Sequence, residues 1–277
     1  MKKHNSPLRY PGGKSILSGF FLDLIDENNM AGCTYVEPYA GGAGSALSLL
    51  YLEKVDNILI NDLDKAIYSF WKSIVTYSGQ FIEKIEEVEL NIEEWRKQKE
   101  IYQSKTSDAF ALGFSAFYLN RTNHSGILNG GPIGGLEQKG NWKIDARFNK
   151  DSLIQKIRKI SLYKNRIKVS NKDGIKLLRS LKKDKNTLIY LDPPYFDKGS
   201  SLYLNHYKPL NHEQLRDELN RANSKWVLTY DHVPEISELY KTRQNYLFTL
   251  NYSADKPKVG KEVLVLSETL RFPSEYL

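Results

Sequence analysis

Three short apolar runs, each ending in a polar or glycine-bearing turn, constrain the fold more than any other feature. Thr34-Tyr35-Val36-Glu37 leads into Pro38-Tyr39-Ala40-Gly41-Gly42-Ala43-Gly44, Asn57-Ile58-Leu59-Ile60 into Asn61-Asp62, and Thr187-Leu188-Ile189-Tyr190-Leu191 into Asp192-Pro193-Pro194-Tyr195. A strand with one wet face alternates apolar and polar residues. These runs do not alternate, so they read as strands buried on both faces, which a parallel sheet covered by helices provides. Further strands are expected over 166–170, 225–230, 246–250 and 262–267. Helical patterns over 45–52, 173–181 and 212–222 lie between them. Strand and helix alternating in this way predict a doubly wound, mostly parallel, Rossmann-like α/β sheet.

One stretch breaks the alternation. Residues 80–118 read as successive helices anchored by Trp95, Tyr102, Phe110, Phe114 and Phe117. They run into Asn120-Arg121-Thr122-Asn123-His124-Ser125-Gly126 and then Gly130-Gly131-Pro132-Ile133-Gly134-Gly135, a glycine density that signals an irregular loop or hairpin. The expected organisation is an α/β domain formed by 1–70 and 149–277, with a mainly helical domain inserted over 71–148.

Composition narrows the function. The 277 residues carry a formal net charge of +7 and a pI near 9.1, which favours a polyanionic partner. No apolar run approaches the ~18 residues of a membrane span, and no apolar stretch behind Met1 suggests a secretory leader, so a cytoplasmic location is expected. Cys33 is the only cysteine, which excludes an internal disulfide and a thiolate zinc cluster. No metal is expected.

The glycines after the first strand let the backbone approach a ligand, and the following helix points its positive end at it. The loop Glu37–Gly44 is not a dinucleotide fingerprint, because Ser48 and Leu49 stand where the third glycine would be. Asp62, closing the second strand, is placed to accept the hydroxyls of an adenosine ribose; the bland alternative is a tight turn plus an exposed aspartate. Tyr10-Pro11-Gly12-Gly13-Lys14-Ser15 fails as a phosphate-binding P-loop, since Leu8 occupies the first glycine position.

The third turn carries the chemistry. In an open α/β sheet, ligands bind outside the carboxyl ends of the strands. Pro193 and Pro194 stiffen the turn and remove two amide protons. An exocyclic base amine is a poor nucleophile because its lone pair is delocalised. The Asp192 carboxylate and the Pro193 carbonyl can accept its two hydrogens and turn the lone pair outward, so that catalysis is largely positioning and electrostatics. Tyr195 offers an aromatic face for an extruded base.

These motifs, in this order, resemble the Dam-like group of adenine-specific DNA methyltransferases. The resemblance rests on Tyr10-Pro11-Gly12-Gly13-Lys14, Val36 to Gly44, Asn61-Asp62, Leu119-Asn120-Arg121-Thr122 with Ser125-Gly126, and Asp192-Pro193-Pro194-Tyr195, and continues weakly to Glu262-Val263-Leu264-Val265-Leu266. It implies a Rossmann-like methyltransferase fold, S-adenosylmethionine as cofactor and an adenine in double-stranded DNA as target. It further implies that Tyr10 and Lys14 help enclose the methionine end of the cofactor. The loop from Glu37 and Pro38 through Gly41 and Gly44 would pass beneath the cofactor, and Asp62 would hold the ribose. Asp173 is either a contact to the cofactor's adenine or a helix N-cap. The inserted region would recognise the target.

Members that read GATC carry an arginine where this chain has Asn129, and familiar hairpin elements are replaced by 132–135 and 145–149. GATC is therefore not the expected site. Asn123 and Asn129 are candidates for reading adenine edges, and Arg121 and Arg147 for guanine or phosphate contacts. Lys156, Arg158, Lys159, Lys164, Arg166 and Lys168, and again Lys198, Lys208, Lys256, Lys258 and Lys261, are further candidates for phosphate or simply a solvated surface. Residues 196–207 are expected to form a loop that orders on substrate. Rival readings are an RNA, cytosine-amine or protein-glutamine methyltransferase using the same turn, and a DNA-binding module with an inactive fold. A monomer suffices for a single flipped base, and a cognate restriction nuclease is a possible partner.

Overall fold

The structure, a computed structural model, describes residues 5–9, 17–104, 106–181, 186–196, 207–252 and 258–276, the side chains of 250–252 and 258–259 aside. Tyr10, Lys14, Lys198, Lys256 and residues 197–206 of the expected substrate loop lie outside the described residues.

The chain forms two compact units, residues 14–64 with 170–277, and residues 1–13 with 65–169. The expected strands all form: β1 (Cys33–Glu37), β2 (Val55–Asn61), β3 (Ile167–Ser170), β4 (Thr187–Leu191), β5 (Lys225–Asp231), β6 (Asn245–Tyr252) and β7 (Lys258–Leu266). They make one seven-stranded sheet in the order β3-β2-β1-β4-β5-β7-β6. β2, β1, β4 and β5 pair in parallel, whereas β7 runs antiparallel between β5 and β6. β1 and β4 are buried almost throughout, as unbroken apolar runs require. Their Val36, Ile189 and Leu191 share a core with Trp226, Leu228 and Tyr230 of β5. Helices α1 (Ser18–Glu27), α2 (Gly44–Tyr51), α8 (Gly174–Leu181), α9 (Pro209–Asn220) and α10 (Pro234–Leu239) belong to the unit of residues 14–64 with 170–277.

The second unit is helical: α3 (Lys65–Thr76), α4 (Ser78–Glu87), α5 (Ile92–Gln103), α6 (Ala109–Thr122) and α7 (Lys150–Leu162). It is larger than the expected 71–148, and packing supplies the reason. Phe70 of α3 stacks on Phe117 of α6, with ring centroids 5.7 Å apart. α7 lies on α4, where Lys150 donates to the Glu86 carbonyl at 2.7 Å. Helices that bury their apolar faces against α6 and α4 belong with them, wherever the change of sequence pattern falls. Phe114 and Phe117 are fully buried anchors as expected, and Trp95 is nearly so. The chain start is fastened to the same unit: Asn120 accepts the Arg9 amide at 2.7 Å and donates to the Arg9 carbonyl at 2.6 Å. Gly126, at φ 76°, passes so close that a Cβ there would lie 2.8 Å from that carbonyl.

Candidate active site

The glycine loop leaves β1 and is organised by Asn61, the last residue of β2. The Asn61 side chain donates to the carbonyls of Pro38 (2.8 Å) and Lys172 (2.9 Å). It accepts from the Ser170 hydroxyl (2.6 Å) and the Lys172 amide (2.9 Å), and the Asn61 carbonyl accepts from Ala40 at 2.9 Å. One buried amide therefore ties together the segments that follow β1, β2 and β3. Sequence reasoning missed this role, although an asparagine ending an apolar strand beside Asp62 was a usable signal.

Glu37 is buried at the end of β1 and accepts the Ala46 amide in the first turn of α2 at 3.0 Å. Burial, with Asp192 nearby, pushes its carboxyl up to about 8 against the opposing pull of that hydrogen bond. Its oxygen anchors the first turn of α2 behind the loop. Ala43, just before α2, adopts a left-handed conformation (φ 46°), a strained turn of the sort that collects at ligand sites.

Asp62 meets the loop directly: its carboxylate accepts Gly41 N–H and Asp64 N–H, each at 2.9 Å. Burial and neighbouring Asp64 raise it to about 7, and no cation pairs with it among the described residues. A half-buried carboxylate with that deficit at a strand end suits hydroxyl donors such as those of a ribose. Because only the ionised form accepts two hydroxyls, cofactor affinity should fall as pH drops through about 7. With roughly a tenth of Asp62 ionised one unit below that value, the dissociation constant at pH 6 should be about tenfold weaker than at pH 8. Calorimetric titration at the two pH values measures this, with Asp62→Asn expected to be flat.

Asp173 caps α8, accepting the Lys176 amide at 3.0 Å. Next to it, Gly174 makes room for the Tyr39 ring: a Cβ there would lie 2.4 Å from Tyr39 Cζ. The Tyr39 hydroxyl in turn meets that of Tyr207 at 2.5 Å. Gly174→Ala should destabilise the protein by about 1–3 kcal/mol through overpacking, although alanine is the better helix former. A urea titration showing an unchanged midpoint would refute the contact.

At the end of β4, the Thr229 hydroxyl donates to Asp192 Oδ1 at 3.0 Å and lies 3.0 Å from the Tyr190 hydroxyl. The Tyr195 hydroxyl donates to Glu262 at 2.5 Å. The ring is only 8 % exposed, so the expected open aromatic face is instead a largely buried one. Burial and the nearby Asp192 and Glu262 carboxylates drive the phenol far above its ordinary value, so it remains protonated. Phe196 N donates to Asp231 at 3.1 Å. The Phe196 and Tyr207 rings both lie against His212, which burial pulls down to about 4.

The helical unit sorts the predicted DNA contacts differently. Asn123 is fully buried. It accepts from Trp95 Nε1 at 2.7 Å and donates to the carbonyls of Ile127, Leu128 and Gly130. With its oxygen held by the α5 indole and its nitrogen by the loop carbonyls, it is placed to shape the loop, which speaks against the expected base contact. Lys99 holds the same loop through the Leu128 carbonyl. Asn129, between these inward-turned carbonyls, is exposed, as is Arg147. Arg121 donates to the Arg147 carbonyl, and burial plus the Arg9 and Arg147 charges lower its pKa to about 10.

A mostly parallel sheet with a glycine loop after β1, an acid just after β2 and an acidic Pro-Pro turn just after β4 has the layout of an α/β methyltransferase. The family model of the D12 class N6 adenine-specific DNA methyltransferases matches residues 10–253, and the chain belongs to that family. It is a site-specific enzyme that methylates adenine in DNA. No curated protein matches the chain by sequence. Among solved structures, a candidate RNA methyltransferase from Pyrococcus horikoshii is 10% identical, with a TM-score of 0.42, over 94% of this chain and 83% of that one. Among the described residues, no helix is long and apolar enough to cross a membrane.

Proposed function

We propose that the sheet unit transfers the methyl group of S-adenosylmethionine to N6 of an adenine flipped out of duplex DNA, with Asp192 and the Pro193 carbonyl receiving the amine. The observation that carries this reading is the Asp192 carboxylate held by Thr229 at the carboxyl end of β4, in the same sheet that places Asp62 against Gly41. The cofactor supplies an electrophilic methyl. Asp62 fits its ribose hydroxyls, the backbone of 38–44 its underside, and Asp173 keeps its second carboxylate oxygen for the adenine. Tyr10 and Lys14 are assigned to the methionine end by their place in the family motif.

Target recognition belongs to the helical unit. Burial, then the neighbouring guanidinium charges, lowers the pKa of Arg9 and Arg121 while leaving both charged beside Arg147, and no described carboxylate bridges any of the three. A partly desolvated cationic cluster of this kind suits a backbone phosphate or a guanine edge, and exposed Asn129 suits an adenine edge. Expression in a host lacking adenine methylation, followed by mapping of modified adenines, tests the reading. N6-methyladenine in one short sequence context supports it. Methylation confined to RNA or to cytosine refutes it.

A further inference from the structure

The catalytic turn is fastened in part by side chains of neighbouring strands. Pro193 and Pro194 have no amide protons, so two of the four residues from Asp192 to Tyr195 cannot be fastened through backbone donors. The fastening comes from outside the turn. Thr229 donates to Asp192, Asp231 accepts from Phe196 N, and Glu262 accepts from the Tyr195 hydroxyl. Thr229 and Asp231 lie on β5 and Glu262 on β7, and Asp231 and Glu262 are paired across the two strands. The antiparallel insertion of β7 beside β5 thus brings a carboxylate under a turn that ends a parallel strand. Glu262 is fully buried, and a carboxylate is not kept in an interior without a specific donor to receive.

We propose that Glu262 is a positioning residue for methyl transfer: by receiving the Tyr195 hydroxyl it fixes the second half of the catalytic turn and, with it, the placement of Asp192 at the other end of that turn. The inference rests on the catalytic reading of the Asp192 turn. Glu262 is assigned no contact with base or cofactor, and it acts on the turn through the Tyr195 hydroxyl. It should therefore affect the rate on bound DNA and leave cofactor affinity unaltered.

The test is a mutant cycle on the full chain, using unmethylated genomic DNA as substrate and a separate titration with S-adenosylmethionine. Tyr195→Phe keeps the ring and removes the hydroxyl, and should lower kcat about tenfold, the scale of a hydrogen bond to a charged group. Adding Glu262→Leu to that variant should cost no further activity, since the contact is already gone. This double variant also removes the buried charge, so it stays folded if Tyr195→Phe alone does not. Glu262→Gln, which retains an acceptor oxygen, should remain within about threefold of wild type. Multiplying losses in the cycle, wild-type kcat in Tyr195→Phe, or cofactor affinity falling in parallel with kcat would each overturn the proposal. Failure of the catalytic reading is distinguishable, because Asp192→Asn would then retain the wild-type rate.

Discussion

Replacing Asp192 with asparagine should lower the methyl-transfer rate by about two to three orders of magnitude, while the protein folds and binds its cofactor as before. The exocyclic amine gains positive charge as its new bond to carbon forms, and it must then lose a proton. A carboxylate beside that nitrogen stabilises the developing charge and receives the proton; a carboxamide of the same shape does neither. Asparagine can still accept the Thr229 hydroxyl that now reaches Asp192 Oδ1 at 3.0 Å, so the turn keeps its place and the loss is chemical. Single-turnover methylation, with a thermal melt and a cofactor titration as controls, separates the two effects. A rate within tenfold of wild type would remove Asp192 from the chemistry. A melting temperature falling with the rate would make its role structural.

The sheet was legible because burial on both faces leaves a plain mark: runs such as 187–191 carry no polar residue that faces water. The ends of those runs were legible for a related reason. Ligands collect where parallel strands stop, so an acid or a glycine loop at that point is informative before any coordinate is known. What could not be read was side-chain partnership across distant segments. Nothing in the sequence says that β7 enters between β5 and β6, and without that insertion Glu262 is only an acid in an apolar strand. Asn123 shows the converse. An asparagine in a glycine-rich loop looks available, yet the Trp95 indole and three carbonyls consume it. The limits of the helical unit were obscured in the same way. The change in pattern marked where strands stop, whereas membership of the unit depends on which apolar faces meet, as Phe70 meets Phe117.

Asn61→Leu should be the most destabilising single change at the site, by about 3 kcal/mol or more. Leucine has the same branching and is somewhat bulkier, so the expected cost comes from broken hydrogen bonds rather than an added cavity. Four groups lose their partner: the Pro38 and Lys172 carbonyls, the Ser170 hydroxyl and the Lys172 amide. A buried polar group left unpaired costs roughly 1–3 kcal/mol. The Pro38 carbonyl pays most of that, whereas water can reach the partly buried groups around Lys172 and reduce their share. The backbone bond from Ala40 N–H to the Asn61 carbonyl survives, so the loop stays attached at one point and loses its second. Cofactor affinity should therefore fall along with stability, because the side chain that fixes Pro38 precedes the Asp62 carboxylate by a single residue. Asn61→Asp separates donor from acceptor. It retains oxygen for Ser170 and Lys172 but sets a carboxylate against two carbonyl oxygens, and should be no more stable than the leucine variant. Urea unfolding of both variants decides the matter. A loss below about 1 kcal/mol in each would show that the three segments are held by packing alone.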